Sequence, residues 1–220
     1  MRTIGVVPAA GYARRLQPLA CSKEMLVVRG RPVMDVLVDR LEAAPCDEIR
    51  VVTRPEKRDV AAHAAVRGAV VVMSEPPSVT ASLLAGIAEV ADDDVVAFGF
   101  PDTLWDPLDG FSRLLAALDA RVDAVLGIFH GAEPARSDTV GIDGDRVTWI
   151  EVKPERPRSE LVWGCAITRA HVLRAGSDET EPGRHFDRLA RRGRIAAVRL
   201  VDPFVDIGTP EGLAAVSGEA

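Results

Sequence analysis

Short valine-rich segments alternate with amphipathic segments along the first half of the chain, and this alternation restricts the fold more than any other feature. Residues 3–7 and 95–100 have the length and apolar content of buried strands, and Glu48–Thr53 is predicted as a further strand. Between them, residues 32–43 and 80–91 carry apolar side chains at the spacing of one helix face. Such alternation is typical of a parallel sheet covered by helices, so we predict an α/β fold.

The second half of the chain has a different pattern, in which Asp143-Gly144-Asp145 separates two strand-like segments and predicts a hairpin. Gly193 is placed to end a helix, and Thr209 followed by Pro210 to begin one. The other predicted elements are helices at 55–66, 108–118 and 184–192 and strands at 69–73, 123–129, 139–142, 146–152, 162–168 and 196–201. We therefore expect a mainly parallel but mixed sheet flanked by helices.

The bulk composition disfavours several classes of partner. The 220 residues carry a formal net charge of −6, and no run of lysine and arginine forms a nucleic-acid footprint. No apolar run approaches membrane-spanning length. The three cysteines are odd in number and have no metal or redox spacing, which favours reduced thiols. We expect a cytoplasmic protein that binds neither nucleic acid nor a membrane.

The loop after the first strand, Pro8-Ala9-Ala10-Gly11-Tyr12-Ala13-Arg14-Arg15-Leu16, combines small residues with positive charge. Small residues let the backbone approach a ligand, and successive N–H groups can then surround phosphate oxygens. Arg14, Arg15 and Lys23 would add donors for an anion. The loop lacks G-x-G-x-x-G and G-K-[ST], which disfavours dinucleotide-binding and P-loop folds. Taken alone, it is explained equally well as an ordinary connection with solvated basic residues.

Four residues in other segments are also suited to a site, because ligands of open α/β sheets lie beyond the carboxyl ends of the strands. Asp102 and Asp206 could bind a divalent metal, whereas a turn and a helix start are the ordinary explanations. Lys153 could bind a second anion or simply lie at the surface. Gly164, set between bulkier residues, could admit a ligand to the backbone or mark a bulge.

Together these segments resemble the motifs of the sugar-1-phosphate nucleotidyltransferases, the family of glucose-1-phosphate uridylyl- and thymidylyltransferases. Residues 7–16 are similar to the family's A-A-G-x-G-T-R-L loop, and Ser22-Lys23-Glu24-Met25-Leu26 is similar to its P-K-E-M-L segment. Phe100-Pro101-Asp102 resembles L-P-D, and residues 205–210 resemble W-x-D-x-G-T-P. The segment from Lys153 to Gly164 is similar to the E-K-P stretch that holds the sugar phosphate. The matches follow the family's order over nearly the whole chain.

The resemblance implies a Rossmann-like nucleotide-diphospho-sugar transferase fold of the GT-A-like kind, formed by residues 1–220 as a single domain. Residues 1–120 would form the nucleotide part and residues 121–220 the acceptor part. The implied enzyme transfers a nucleotidyl group from an NTP, expected to be UTP or dTTP, to a sugar 1-phosphate or similar phosphate. Pyrophosphate would be released. Whether the chain forms a homo-oligomer is left open.

The resemblance also implies roles for individual residues. The catalytic cations would be Arg15 and Lys23. The ligands of Mg²⁺ would be Asp102 and Asp206. The residues that bind the acceptor phosphate would be Lys153, Gly164 and Glu151. The nucleotide-binding residues would be Ala9, Ala10, Gly11, Tyr12, Ala13, Arg14 and Thr80.

The chain departs from the family's pattern at several of these positions. Ala13 and Arg14 stand where the family usually has Gly and Thr, and Val79 stands where Gly is expected. Val152 replaces the glutamate of E-K-P, which would accept hydrogen bonds from sugar hydroxyls. A valine side chain cannot do so. Either Glu151 substitutes for it by a shift, or the acceptor is not an ordinary hexose.

Two alternatives remain open at this point. Residues 7–11 with the following arginines, and residues 81–86, also resemble cytidylyltransferases that act on polyol phosphates such as methylerythritol phosphate. The departures are compatible, too, with a catalytically degenerate domain that binds a nucleotide or sugar nucleotide and regulates a partner. Retention of Arg15, Lys23 and both aspartates favours an enzyme.

Overall fold

A nine-stranded sheet organises the part of the chain that the computed structural model describes, residues 1–13 and 15–217. The strands are β1 (Thr3–Pro8), β2 (Val27–Val28), β3 (Arg31–Pro32), β4 (Glu48–Thr53), β5 (Val70–Met73), β6 (Val95–Gly99), β7 (Thr103–Asp106), β8 (Ala124–His130), β9 (Thr139–Asp143), β10 (Arg146–Glu151), β11 (Leu161–Arg169), β12 (Ile195–Arg199) and β13 (Val201–Asp206). The helices are α1 (Met34–Ala43), α2 (Arg58–Val66), α3 (Val79–Gly86), α4 (Gly110–Ala117), α5 (Ala170–Ala175), α6 (Pro182–Ala190) and α7 (Pro210–Ser217). Arg14, one of the predicted nucleotide-binding residues, lies outside the described residues.

The strand order of the large sheet is β5-β4-β1-β6-β11-β8-β12-β10-β9, and its two halves differ in strand direction. β5, β4, β1 and β6 are parallel neighbours. β11 runs antiparallel to both β6 and β8, and β9 and β10 form the predicted hairpin. β8 and β12 form one more parallel pair. The predicted α/β fold with a mixed sheet is confirmed, and its parallel pairing is concentrated in the N-terminal half.

Helices cover both faces of the sheet because successive side chains of a buried strand point in opposite directions. On one face, Val7 of β1 belongs to a cluster that includes Leu37 of α1 and Phe111 of α4. On the other face, neighbouring β1 residues belong to a cluster that includes Leu83 of α3 and Phe186 of α6. With both faces covered by apolar side chains, the loops at the strand ends are left as the place for a polar site.

A small ladder of β7 and β13, which no sequence motif indicated, brings two distant segments together. β13 runs antiparallel to β7 and places Asp206 opposite Thr103, the residue after Asp102. The sequence predicts one strand at 196–201, whereas the chain ends β12 at Arg199 and then begins β13. Pairing between segments so far apart leaves no periodic signal in either of them. The ladder places the two predicted metal ligands side by side.

The ends of several helices differ from the predicted ones for local reasons. α1 begins at Met34 because Pro32 belongs to the short β2–β3 ladder, and α3 ends earlier than predicted. α7 begins as predicted, with Thr209 Oγ1 accepting a hydrogen bond from Gly212 N at 3.0 Å. Among the helices described, none has the length and apolar content that a membrane span requires.

Candidate active site

Two cations that the sequence motifs did not include hold the loop that follows β1 by hydrogen bonds to its carbonyl groups. Arg54 Nε donates to the carbonyl of Ala10 at 2.6 Å, and Lys57 Nζ donates to the carbonyl of Ala9 at 2.9 Å. Both cations come soon after β4, the parallel neighbour of β1, so they lie at the same edge of the sheet. The only feature of the sequence that could have indicated these two residues is that they are basic and follow a buried strand. The loop backbone is therefore held in place by the protein itself.

Two residues of this loop that are predicted to bind the nucleotide, Tyr12 and Ala13, have distinctive conformations. The guanidinium of Arg54 lies 3.9 Å from the ring centroid of Tyr12, while Tyr12 remains 54% exposed. Ala13 has a φ of 51°, in the left-handed region that favours glycine. The chain thus adopts a glycine-like conformation at a position where the resembling family usually has glycine.

Lys23 connects the loop to the predicted metal ligands. It lies in a short 3-10 turn, Lys23–Met25, and its Nζ donates to Asp102 Oδ2 at 2.5 Å. The same ammonium lies 3.9 Å from the point where a Cβ on Gly11 would be. Burial would lower the pKa of Lys23, but the charges of Asp102 and Glu24 outweigh it and hold the pKa above its ordinary value. Lys23 is therefore a fixed positive charge between the loop and the end of β6.

The turn that carries Lys23 is anchored on its buried side. The carboxylate of Glu24 is completely buried, and Lys57 Nζ lies 2.8 Å from each of its oxygens. Asp59 accepts hydrogen bonds from the backbone N–H and the hydroxyl of Ser22 at 2.8 and 2.7 Å. Burial raises the pKa of Glu24 and lowers that of Lys57, against the attraction between them. Because Lys57 also binds the loop, one largely buried cation joins the turn to the loop.

Asp102 and Asp206 meet at Gly208. A Cβ on Gly208 would lie 2.7 Å from Asp102 Oδ2 and 2.9 Å from Asp206 Oδ1, so a larger residue would displace a carboxylate. Gly208 N donates to Asp206 Oδ1 at 2.8 Å, and Ile207 N donates to the backbone carbonyl of Asp102 at 2.9 Å. Two carboxylates that are about a hundred residues apart in the sequence are thereby held next to each other.

The two carboxylates differ in how readily they ionise. Burial would raise the pKa of Asp102, but the ammonium of Lys23 outweighs it and keeps the pKa below its usual value. Burial, followed by the charge of Asp102, raises the pKa of Asp206. Like charges this close repel each other, so the pair would gain from a further cation between its oxygens.

A cavity beside this pair brings together cations from the two halves of the chain. Its volume is about 400 Å³, and the residues that line it are Arg15, Ala135, Arg136, Lys153, Pro210 and Glu211. Arg15 comes from the first loop and also favours ionisation of Asp206, whereas Lys153 follows β10. Lys153 Nζ donates to Glu181 Oε1 at 2.7 Å and remains 43% exposed. The predicted nucleotide cation and the predicted acceptor cation therefore face one space.

Three other predicted site residues lie in packed or paired surroundings. Glu151 Oε1 accepts a hydrogen bond from Arg158 Nε at 2.6 Å. Gly164 lies at a β-bulge of β11, and the ring of Phe204 fills the place where its Cβ would be. Thr80 is buried in the first turn of α3. Glu151 Oε2 and the Thr80 hydroxyl are nevertheless buried without a hydrogen-bond partner among the residues described. The binding roles of these three residues stay predictions, as do the roles of the other site residues.

Residues 5–180 match a family model described as the MobA-like NTP transferase domain. The chain belongs to this family. The match spans the first loop, Lys23, Asp102 and Lys153, and it ends before Asp206. Membership confirms the predicted class, a nucleotidyltransferase domain.

Named relatives and solved structures are similar to this NTP transferase domain over different shares of their length. A protein of Sulfolobus acidocaldarius that carries the name mannose-1-phosphate guanyltransferase is 30% identical over 167 residues. The aligned region is 71% of this chain but 45% of that protein, so the chain spans less than half of the relative's length.

Two crystal structures superpose on nearly the whole transferase domain. One carries the name glucose-1-phosphate thymidylyltransferase, from Bacillus anthracis, in complex with sucrose; its TM-score is 0.85 at 18% identity, over 98% of this chain and 94% of that one. A UDP-glucose pyrophosphorylase complexed with UDP-glucose has a TM-score of 0.82 at 19% identity, over 99% of this chain and 98% of that one. These matches confirm the Rossmann-like nucleotide-diphospho-sugar transferase fold.

Proposed function

We propose that this domain transfers a nucleotidyl group from an NTP to the phosphate of a sugar 1-phosphate or similar small molecule, with release of pyrophosphate. The observation that carries the proposal is one cluster, in which Lys23, Asp102 and Asp206 adjoin a cavity lined by Arg15 and Lys153. The NTP and the acceptor phosphate are both anionic, and cations from the two halves of the chain converge where the two would meet. Family membership supports the same activity.

In this reaction an oxygen of the acceptor phosphate attacks the α-phosphorus of the NTP. The new phosphorus–oxygen bond forms as the bond from the α-phosphorus to the oxygen bridging to the β-phosphate breaks, and that oxygen leaves with the bonding electrons in pyrophosphate. Catalysis by this chain would consist of positioning and charge neutralisation. Lys23 would act at the α-phosphate, Arg15 at the β- and γ-phosphates, and Lys153 at the acceptor phosphate.

Asp102 and Asp206 have the chemistry that Mg²⁺ requires. Carboxylate oxygens are its preferred protein ligands, and it usually keeps water and substrate phosphates in the rest of its shell. Two carboxylates are therefore sufficient, although no fuller group of His, Cys, Asp and Glu suited to a metal occurs in the described ranges. When bound, Mg²⁺ would neutralise charge on the phosphates. Lys23 donates to the Asp102 oxygen that adjoins Gly208, so this lysine would have to share that oxygen or move.

The identity of the base is a finer part of the proposal. We propose a pyrimidine nucleotide, UTP or dTTP, on the basis of the sequence motifs and of the names of the two crystal structures. GTP is the competing donor, because the Sulfolobus relative carries the name of a guanyltransferase. The stacked pair of Tyr12 and Arg54 provides an aromatic surface next to the loop, which either type of base could use.

A substrate panel with Mg²⁺ tests both the activity and its specificity. The protein is incubated with UTP, dTTP, CTP, GTP or ATP and with glucose 1-phosphate, mannose 1-phosphate or methylerythritol phosphate, and pyrophosphate and the nucleotide product are measured together. We expect one pair to give both products in equal amounts, with loss in EDTA and recovery when Mg²⁺ is restored. No pyrophosphate from any pair, together with nucleotide binding by calorimetry, would overturn the proposal and favour the regulatory alternative.

A cytidylyltransferase acting on a polyol phosphate is the second candidate, and Val152 favours it. Val152 Cγ2 lies 3.0 Å from the place where a Cβ on Gly183 would be, so an apolar group packs where the resembling family has a glutamate. A polyol phosphate has fewer ring hydroxyls to satisfy than a hexose phosphate. The arm of the panel that combines CTP with methylerythritol phosphate distinguishes this candidate from the first.

A further inference from the structure

Asp138, the residue before β9, is a carboxylate on the acceptor side that no motif indicated. Its carboxylate faces Gly183 in the first turn of α6, next to Val152. Its Oδ1 is buried and has no hydrogen-bond partner among the residues described. A buried polar atom without a partner is uncommon in folded proteins and calls for an explanation.

Three further polar groups near Asp138 are buried and, in the described part of the chain, unpartnered: the hydroxyl of Thr139, Nε1 of Trp163, and Oε2 of Glu151, which is paired with Thr139 across the hairpin. Thr139 and Trp163 are 0% and 2% exposed. The indole N–H of Trp163 is among the groups that favour the charged form of Asp138, although it does not complete a hydrogen bond. The ring of Trp163 is packed against those of Phe98 and Phe186, with centroids 6.1 and 5.7 Å away. A rigidly held donor thus lies beside an acceptor that has a free position.

Asp138 also adjoins Lys153, the predicted acceptor-phosphate residue. The ammonium and the backbone N–H of Lys153 both favour the charged form of Asp138, whereas the charge of Glu181 opposes it. Lys153 in turn lines the cavity that Arg15 enters. Asp138 is therefore connected to the proposed reaction site through the residue that would hold the acceptor.

We propose that Asp138 accepts a hydrogen bond from a hydroxyl group of the acceptor and so replaces the glutamate that Val152 has displaced. The ligand is a phosphorylated sugar or polyol whose phosphate lies at Lys153 and whose hydroxyl donates to Asp138 Oδ1. Trp163 Nε1 then donates to an oxygen of the same ligand. The inference rests on the proposed function, because it concerns the acceptor of that reaction.

A purely structural role for Asp138 is the main rival explanation, since a carboxylate at a helix N-terminus is stabilised by the helix dipole. The balance of charges opposes it. Burial, together with Glu181, raises the pKa of Asp138 to about 6 in spite of Lys153. A carboxylate that stabilised the fold through its charge would have a lowered pKa. The charged form of Asp138 is instead unfavourable for folding, as expected of a group whose role is to bind a ligand.

Glu151 is the rival candidate for the same role. One of its oxygens already accepts a hydrogen bond from Arg158, whose guanidinium also lies 4.2 Å from the ring centroid of Trp149. Its other oxygen, Oε2, is buried without a hydrogen-bond partner in the described part of the chain, as is Asp138 Oδ1. Asp138 is favoured by its position, because it faces Gly183 next to Val152 and adjoins Lys153. The two assignments predict different outcomes when each carboxylate is changed separately.

The test compares Asp138→Asn, Glu151→Gln and Asp143→Asn, an exposed control at the other end of β9. Initial rates are measured with the best NTP and acceptor of the substrate panel. We expect Asp138→Asn to raise KM for the acceptor by about 10- to 100-fold, the effect of losing a hydrogen bond to a charged group. KM for the NTP should be unchanged. Asp143→Asn should behave as wild type.

Deoxy analogues of the acceptor, each lacking one hydroxyl, identify the partner of Asp138. For one analogue, the loss of affinity caused by the missing hydroxyl and the loss caused by Asp138→Asn should not add. The wild type should bind that analogue more weakly than the full acceptor, whereas Asp138→Asn should bind the two with nearly the same affinity. Thermal unfolding at pH 7 provides a check on folding. Asp138→Asn should be at least as stable as wild type, because the buried charge it removes is unfavourable.

Three results would overturn the inference. They are an unchanged acceptor KM in Asp138→Asn, losses that add for every deoxy analogue, or a rise in KM confined to Glu151→Gln. Calorimetric titration with glucose 1-phosphate, mannose 1-phosphate and methylerythritol phosphate separates this failure from failure of the proposed function. Binding that Asp138→Asn weakens, without turnover in the wild type, would sustain the site and refute the reaction. No binding and no turnover would refute both.

Discussion

The proposed nucleotide side of the site, formed by the first loop, Lys23, Glu24 and Lys57, and the proposed acceptor side, formed by Asp138, Lys153 and their neighbours, differ in how far their charged groups are already paired. On the nucleotide side, Lys23 is paired with Asp102, and Lys57 is shared by Glu24 and the first loop. On the acceptor side, buried atoms of Asp138 and its neighbours have no partner within the described ranges. The charged groups of the first side are thus paired within the protein, although the hydroxyl of Thr80 is buried there without a partner among the residues described. On the second side, buried carboxylate oxygens are left without a partner in the same part of the chain.

This difference matches the demands that the two substrates make. A triphosphate presents the same oxygens in every NTP, so a prepaired set of charges can be fixed in advance and needs no rearrangement during reaction. Acceptors differ in their hydroxyl groups, and unpaired polar groups discriminate between them because an ill-matched acceptor leaves a buried group unsatisfied. We infer that the first side binds the triphosphate common to all NTPs, and that the second side determines which acceptor is used.

Loss of the paired aspartates should have the largest effect. Asp102→Asn or Asp206→Asn removes a carboxylate proposed to hold Mg²⁺, and metal ions supply several kcal/mol of charge stabilisation, so turnover should fall by about 1000-fold or more. Stability should separate the two variants. Asp102→Asn leaves Lys23 without its partner and should lower the unfolding temperature, whereas Asp206→Asn removes a repulsion and should raise it. Pyrophosphate release and calorimetric unfolding measure these effects.

Normal turnover in either variant would remove the metal assignment. A matched control is Asp109→Asn, which changes an exposed carboxylate outside the cluster. It should leave both turnover and unfolding temperature as in wild type. If both active-site variants lost stability equally, the two carboxylates would have the same electrostatic role, contrary to the contrast between their pKa shifts.

Loss of Lys57, the largely buried cation that binds the first loop, should have the next largest effect, which we expect on stability. Lys57→Met leaves the completely buried Glu24 carboxylate unpaired, which costs about 3 kcal/mol or more in comparable cases. Adding Glu24→Gln to Lys57→Met should recover much of the loss, because no unpaired charge then remains. Urea unfolding of the single and double variants measures this coupling. The exposed pair Asp119 and Arg121 provides a control at which Arg121→Met should have no measurable effect.

An unchanged unfolding midpoint in Lys57→Met would show that the nucleotide side is not prepaired in the way the contacts indicate. Loss of stability without recovery in the double variant would place the effect in the Lys57–Ala9 hydrogen bond rather than in the ion pair.

Separate removal of Arg15 and Lys153, two of the cations that line the cavity, should have a smaller effect, and each removal should affect a different substrate. Each would lose a charge-assisted hydrogen bond, which corresponds to about 10- to 100-fold in rate or affinity. Arg15→Ala should lower kcat/KM for the NTP, and Lys153→Ala should raise KM for the acceptor phosphate. Initial rates with each substrate varied in turn give this separation. Equal changes for both substrates in both variants would contradict the division of the cleft into two sides.

The sequence was informative about the fold and about residues that follow strands. The β4 boundaries and the β9–β10 hairpin were predicted because their apolar alternation and turn residues are local signals. The first loop, Lys23 and Asp102 were recognised because short motifs mark them. Their proximity to Asp206 depends on the β7–β13 ladder, a pairing between distant segments that leaves no local trace.

The residues that sequence reasoning missed are those whose importance comes from what surrounds them. No sequence motif distinguishes Arg54, Lys57 and Asp138 from the other arginines, lysines and aspartates of the chain. Only the folded chain shows that the first two donate to loop carbonyls and that an oxygen of the third is buried without a partner among the residues described. Val152 was the one indirect signal of Asp138. Because Val152 replaces the glutamate of E-K-P, another group has to accept the hydrogen bond from the acceptor.

The smallest expected effect concerns the backbone of the prepaired loop itself. Ala13 has a φ of 51°, a conformation that costs a residue with a Cβ about 1–2 kcal/mol but glycine almost nothing. Glycine loses more chain entropy on folding, by about 0.5–1 kcal/mol, so Ala13→Gly should stabilise the protein by about 0.5 kcal/mol. In a domain of this size that corresponds to a rise of about 1–2 °C in unfolding temperature. Ala62→Gly, in the exposed middle of α2, should lower the temperature instead, because no left-handed strain is relieved there. Equal destabilisation of the two variants would mean that the loop is not held rigidly enough to impose strain on Ala13. Its hydrogen bonds to Arg54 and Lys57 would then leave the backbone able to adapt.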